Sequence, residues 1–337
     1  MTTDHEAVRE LLGAWAVGAL MPGDERTLAP HLADCDPCAA EAARLRAVVR
    51  DLDGPPVTAG PLPAERGLSL ALRTRPAASR TASHAAPYAA AVAGLQALLG
   101  EMDEHGPWGT PVVHDWDVHD TVAHLLAADE PLAVRLGLRV AGEFDGVDGA
   151  SWREAWAART EEVLARERGR APAGTVASWQ AQAKALLSSP EAHDPELAGR
   201  ATTLMGARLP LTDHFLVRAF EAWVHTEDIG RALDLPVPPP RTPHLWQLVR
   251  LAVRILGLAL GSGTPAVALT VAGEGGEASW ILGEGAEPVS AELVLDPVDF
   301  CRLMGGRVDP SVVARGISGD ESAATRVLTR AASLAWL

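Results

Sequence analysis

Three side chains that favour soft metals fall within one eight-residue stretch: "HLADCDPC", 31–38, holds His31, Cys35 and Cys38. Only three cysteines occur in the whole chain, and two of them are here. That spacing narrows the local fold sharply. Zinc takes thiolate sulfur and imidazole nitrogen in a tetrahedron, and a Cys-x2-Cys pair supplies half of one. The flanking pattern is helical: "HEAVRELLGAWAVGAL" (5–20) spaces Val8, Leu11, Leu12, Trp15 and Leu20 for an apolar face. Pro22 and Gly23 break it, Asp24 caps "ERTLAPHLADC", and "CAAEAARLRAVVRDL" follows Pro37. His31 therefore ends a second helix while Cys35 and Cys38 open a third, and the three converge at one corner. A structural zinc needs a fourth ligand, and His5, at the start of the first helix, is the candidate. Two packed thiols beside a surface histidine would account for the same residues without metal.

With one Cys-x2-Cys pair and the remote Cys301, a disulfide framework is excluded, and a cytosolic metal or redox site is the better reading. Cys301 lies in the apolar run "DFCRLM" and reads as a packed thiol. The net charge of −15, with no basic block, argues against direct nucleic-acid binding, which needs clustered Lys and Arg. An acidic chain can still hold a basic protein partner. "MTTDHEAVRE" is acidic where a secretory signal is basic, and no apolar run reaches the length of a membrane span. A cytoplasmic protein with no membrane contact is expected.

The Pro/Gly/Ala/Arg-rich segment 54–87 reads as a linker, with "PAERGLSLALRTR" inside it as one short amphipathic helix. From 88 to 233 the pattern is of long helices at 88–103, 118–141, 151–168, 174–188 and 211–234, an up-and-down bundle. "DLPVPPPRTP" marks a second boundary. Residues 240–337 read as α+β: a helix at 244–260, strands at "AVALTVAG", "ASWILG" and "AELVLD", then helices around "PVDFCRLMGG" and 320–335. The fold class is mainly α: a zinc-bound three-helix domain at 1–53, a helical bundle, and a small α+β domain.

Inside the bundle, "FLVRAFEAWVHTEDIG" puts Glu221 and His225 at i and i+4, on one face of a helix. "DWDVHDTVAHLL" puts His119 and His124 on another, five residues apart and so on different faces. A Glu-x3-His pair facing a histidine offers three ligands to a divalent metal and leaves positions open for water or substrate. Asp228, one turn beyond His225, is placed to orient a ligand. A surface Glu–His pair with no chemistry fits the spacing equally well.

Residues 1–75 resemble the zinc-binding anti-sigma domain, on the H-x3-C-x2-C motif, the three helices and the linker helix. The resemblance implies a structural zinc on His5, His31, Cys35 and Cys38, and an extracytoplasmic-function sigma factor as partner. The remainder resembles the mycothiol-dependent maleylpyruvate isomerases of the DinB-like superfamily. The signatures are "GPWGTPVVHDWDVHDTVAHLLAADE" and "LPLTDHFLVRAFEAWVHTEDIGRALDLP", with Arg218, Glu221, His225 and Asp228 at matching places. That resemblance implies His124, Glu221 and His225 as ligands of a divalent metal, zinc for preference, with mycothiol as cosubstrate. It gives His119 no role and leaves it exposed beside Asp120. "DPVDFCRLMGGRVDPSVVARGISGD" resembles the isomerases' C-terminal α/β domain, in which an arginine faces the active site; Arg307 is the nearest match and the catalytic candidate.

Two functions from different classes follow. In the first, which the linker helix favours, the chain is a soluble anti-sigma regulator whose isomerase-like module binds a divalent metal and a small-molecule or thiol signal. The alternative is a mycothiol-dependent isomerase or thiol S-transferase, the metal activating the thiol, with the zinc domain as a regulatory appendage. A third reading keeps both folds without a sigma partner and gives the small domain a role in oligomerisation.

Overall fold

Pro22, Gly54 and the prolines that follow limit how far the first helices can run, and helices of 12, 13 and 18 residues result. The computed structural model describes residues 5–17, 19–20, 22–53, 81–102, 105–141, 152–261, 263–283, 288–313 and 315–334. The linker helix expected at "PAERGLSLALRTR" lies outside them. Contacts divide the chain into two units, Met1–Ala78 and Ser79–Leu337.

In the first unit, α1 (His5–Ala16), α2 (Pro22–Asp34) and α3 (Asp36–Asp53) pack on one another. Their core is small: Val8, Leu12, Leu28, Cys38 and Ala42 are buried, with Trp15, Leu20, Leu32 and Leu45 partly covering them. The Arg46 guanidinium lies 3.6 Å over the Trp15 ring and screens its outer face.

The second unit is built round two helices whose polar side chains are as buried as their apolar ones. These are α5 (Val118–Arg135) and α9 (Leu211–Ala232). Around them lie α4 (Ala86–Gly100), packed on α9, and α6 (Trp152–Arg168) and α7 (Pro172–Leu187), packed on α5; the single-turn α8 (Pro195–Ala198) follows. The Asp117 carboxylate caps α5 by accepting from the Asp120 N–H at 2.8 Å. The sequence pattern carries this helix to 141, yet it stops at Arg135. Gly137 takes φ +71°, and the Leu138 N–H donates to the Ala133 carbonyl at 2.9 Å, closing a Schellman turn.

Two hairpins that the sequence pattern misses frame the bundle: β1 (Pro111–Val113) with β2 (Trp116–Asp117), and β3 (Ala201–Leu204) with β4 (Ala207–Pro210). Each turns on two consecutive residues of positive φ, His114–Asp115 (54° and 63°) and Met205–Gly206 (50° and 73°). This is the twist that a two-residue hairpin turn requires.

After α10 (Thr242–Leu260), the chain forms β5 (Val267–Gly273), β6 (Gly276–Leu282), β7 (Ala291–Leu295), α11 (Pro297–Met304), β8 (Arg315–Gly319) and α12 (Glu321–Ser333). The sheet order is β6-β5-β7-β8, with only β5 and β7 parallel. Val267, Leu269, Val271, Leu293 and Leu295 point alternately to one face, which the helices cover. Cys301 is buried there beside Phe300, and burial pushes its thiol pKa far up, in keeping with a packed residue.

Gly230 is where α9 meets the chain leaving it. A Cβ there would sit 2.3 Å from Val237 Cγ2 and 2.9 Å from the Leu235 carbonyl. Gly230→Ala should therefore cost about 1–3 kcal/mol of overpacking strain. The check is the urea midpoint of the full chain; an unchanged midpoint would refute this account of the contact. Among the described residues, no helix is long and apolar enough to cross a membrane.

Candidate metal centres

Buried polar side chains carry a large desolvation cost, so the crowd of them on α5 and α9 demands a compensating partner. His124 on α5 and Glu221 and His225 on α9 are all buried, and one ligand atom from each lies within 4.8 Å of the others. His124 Nε2 is 2.8 Å from Glu221 Oε1, and the two imidazoles meet edge-on with centroids 5.0 Å apart. Asp228 holds the far side of the second ring, His225 Nδ1 to Asp228 Oδ2 being 3.2 Å. That fixes His225 with Nε2 free to bind, and this atom is buried with no hydrogen-bond partner among the described residues. The donor set fits a divalent metal. Two nitrogen or oxygen ligands of one tetrahedral zinc stand about 3.4 Å apart, so the His124–Glu221 pair would have to open by about half an ångström to admit an ion.

Electrostatics agree with the geometry. Burial, reinforced by Arg218 and Arg307, pushes the His124 pKa down to about 3. Burial pushes His225 down to about 4, even though its bond to Asp228 works the other way. Both rings are thus neutral at physiological pH, the form that ligates. Arg307 reaches Asp228 from the turn after α11, Nη2 to Oδ2 being 2.6 Å, and approaches His225 Nδ1 at 3.5 Å. Burial alone would raise the Asp228 pKa; the bonds from His225 and Arg307 outweigh it and hold it below the usual range. Arg307 accordingly lies behind His225 and acts on the centre through Asp228.

Arg218 makes an ion pair with Glu221, one turn along α9, and approaches Asp129 at 4.0 Å. Asp129 accepts a 2.6 Å bond from the Tyr88 hydroxyl. Burial pushes its pKa up from 3.8 to about 6, against the pull of Arg218, Tyr88 and Trp179. Below about pH 4, folded and unfolded chains both hold this proton. Between pH 4 and 6 the unfolded chain releases it first, so stability falls by about 3 kcal/mol as pH rises through the folded pKa, and then levels. Asp129→Asn should flatten that slope, measured by urea unfolding at pH 4.5 and 6.5; parallel pH profiles for the two proteins would reject the assignment.

Beside the centre opens a cavity of about 1150 Å³, lined in part by His124 and Trp116. The Trp116 ring lies 4.5 Å from that of His124 and 6.4 Å from that of His225. His114, at the turn of the first hairpin, lines the same cavity and packs edge-on against Trp116. Burial, then Arg307 and His124, lower its pKa.

In the first unit, His5, His31, Cys35 and Cys38 come together with their ligand atoms within 4.8 Å of one another. His5 Nε2 is 3.8 Å from each sulfur. Sulfur and nitrogen ligands of one tetrahedral zinc stand about 3.6 Å apart, so the four residues fit the ion closely. His31 Nε2 is buried without a hydrogen-bond partner among the described residues, and burial, with the adjacent Cys35 thiol, pushes the Cys38 thiol up. The orphaned His31 nitrogen is what a cation would satisfy there, whereas Cys38 would have to give up its proton to ligate.

The structure thus gathers every ligand expected from sequence into two clusters, and it places Asp228 and Arg307 beside the second. His119 is a correction. It was expected exposed, yet it is half-buried, with Nε2 2.8 Å from the Thr175 hydroxyl of α7. Its neighbour Asp120 is buried too, gripped by both arms of Arg168 at 2.8 Å. The cause is α7 and the end of α6 lying over a helix face that looks polar in isolation. Sequence reasoning missed His114, Trp152, Trp156 and Arg208 of the cavity; the Met205-Gly206 turn was the signal available for that hairpin.

Residues 88–230 match the family model described as the mycothiol maleylpyruvate isomerase N-terminal domain. Among solved structures, the chain is similar to a crystal structure of the mycothiol-dependent maleylpyruvate isomerase, at 15% identity over 70% of this chain and 92% of that one, TM-score 0.45. A histidine-to-alanine mutant of that enzyme matches at 14% identity over 69% and 91%, TM-score 0.44. No curated protein matches the chain. The match to the family model covers 88–230, so the stretch that carries His124, Glu221 and His225 is similar to the mycothiol maleylpyruvate isomerase N-terminal domain.

Proposed function

We propose that the Ser79–Leu337 unit is a thiol-dependent isomerase or S-transferase, with mycothiol as the cosubstrate. The observation that carries this is the convergence of His124, Glu221 and His225, the first of which lines an open cavity, within the stretch similar to the isomerase domain. A divalent metal bound there would lower the pKa of a thiol and favour the nucleophilic thiolate. His225 and His124 are already neutral and need lose no proton to ligate. Asp228 and Arg307 hold the His225 ring in one orientation, and Arg218 does the same for Glu221. Trp116 shields the ligand rings on the cavity side. The test is steady-state turnover of maleylpyruvate by full-length protein with and without mycothiol. Isomerisation that needs the thiol and is lost on metal removal supports the proposal; equal rates without the thiol sink it.

A second reading concerns the first unit alone, and the four-ligand cluster in a separate set of contacts favours it. Here α1–α3 form a zinc-stapled module that binds an extracytoplasmic-function sigma factor, as the resemblance to anti-sigma domains implies. Co-purification of full-length protein from host lysate, followed by mass spectrometry, tests it. A stoichiometric sigma factor supports the reading, and its absence from a zinc-replete preparation counts against it.

A further inference from the structure

The cavity beside the bundle centre has two properties that the ligand cluster does not explain. Its wall is largely apolar and aromatic, with Trp116, Trp152, Trp156, Leu132, Leu204 and Ile255 facing one space. A hydrated cavity with such a wall is unfavourable, and its 1150 Å³ far exceed what a small polar acid fills. The wall is also firmly set. Trp152 lies against Gly206 so closely that a Cβ there would sit 2.3 Å from the indole Nε1. The φ of +73° at Gly206 suits glycine as well.

The second property is charge. On a chain of net charge −15, the described lining carries four arginines, Arg153, Arg208, Arg218 and Arg330, against the carboxylate of Glu161. Three of the four are engaged. Arg218 pairs with Glu221, Arg153 lies 4.5 Å over the Trp152 ring, and Arg330 Nε donates to the Ala259 carbonyl at 2.9 Å. Arg208 on β4 is exposed and makes no ion pair among the described residues. An apolar interior with an unneutralised guanidinium at its edge is complementary to an amphipathic anion.

We infer that this cavity binds an organic acid with a bulky apolar or aromatic body, the body lying among the tryptophans and the carboxylate meeting Arg208. The inference deepens the thiol-dependent reading, since such an acid is then the second substrate, and it rests on that reading for its role in the reaction. Binding itself can be measured without turnover. Leu258, 72% exposed yet part of the wall, offers a variant that leaves the fold alone.

The experiment is isothermal titration calorimetry on metal-loaded full-length protein with three probes: 2-naphthoate, the uncharged 2-naphthalenemethanol, and maleate. Naphthoate should bind at least about tenfold more tightly than maleate, through ring burial. It should also exceed the alcohol by about fivefold, through the carboxylate–arginine pair. Arg208→Gln should remove the advantage over the alcohol, and Leu258→Glu should weaken naphthoate by about fivefold, by placing a like charge in the wall. Protein stripped of metal should bind naphthoate within about twofold of the loaded form. Maleate binding as tightly as naphthoate overturns the inference. So does naphthoate affinity unaltered in both variants, and so does loss of binding on metal removal, which would put the carboxylate on the metal. Retained naphthoate binding with no thiol-dependent turnover would reject the enzymatic reading and leave the binding site standing.

Discussion

Cys35→Ser should unfold residues 5–53 while the bundle stays folded. Among the described residues, the first unit has five buried core side chains, one of them Cys38 itself. A core of that size does not hold so short a chain together unaided. Structural zinc in comparable small domains contributes on the order of 10 kcal/mol, which is the whole of their stability. Losing one of four ligands to a hydroxyl that ligates poorly should therefore remove most of the protection of α1–α3. The measurement is amide hydrogen exchange on the full chain, with α5 and α9 as the internal reference. Exchange in 5–53 should rise to near the rate of an unfolded peptide, with about one equivalent of zinc lost per chain. Protection that survives loss of the metal would mean that packing alone suffices, and the cluster would then be an ornament on a stable helix trio. Lower pH should act in the same direction, because the thiols must deprotonate to bind and burial already resists this at Cys38.

His225→Ala should abolish both the second equivalent of metal and thiol-dependent turnover, while the first unit keeps its zinc. The candidate set has three protein donors among the described residues, so losing one leaves Glu221 and His124 to bind an ion in competition with their own 2.8 Å contact. A graded companion separates ligation from packing. Asp228→Asn keeps the shape of the side chain but weakens the acceptor that holds His225 Nδ1, and it should cost about 10–100-fold in metal affinity with the fold intact. Metal content by mass spectrometry and affinity by competition with a chromophoric chelator give both numbers. If Asp228→Asn binds as tightly as the parent, the brace has no function and the His225–Asp228 contact is merely structural.

Much of this was legible from the residues. Long helices with apolar stripes announce themselves, and so do "HLADCDPC" and the i,i+4 pair Glu221–His225, because helical spacing converts sequence separation directly into direction. What was not legible depended on distant partners. Tyr88 meets Asp129, and Arg307 meets Asp228, across separations of 41 and 79 residues that no local pattern encodes. His119 looked exposed because its own helix gives no hint that Thr175 would cover it. The hairpins escaped for another reason. Their strands run two to four residues, too few for alternation to register, and the first turns on His114–Asp115 in place of the usual glycine pair. Strand β8, "RGISG", carries one large apolar side chain and two glycines, and it is recruited by β7 more than by its own propensity.

The brace on His225 also redraws the outline of the candidate metal-binding module. The three candidate ligands fall inside 88–230, but the guanidinium that steadies the last of them is at Arg307, and Arg302 adds a 2.7 Å bond to Glu227 on the same helix. A fragment cut at the edge of the matched stretch would keep every ligand and lose the clamp that aims one of them. The matched stretch and the mechanically complete piece therefore end at different residues in this chain. The smallest piece worth expressing to test for metal binding has to run on through the turn after α11.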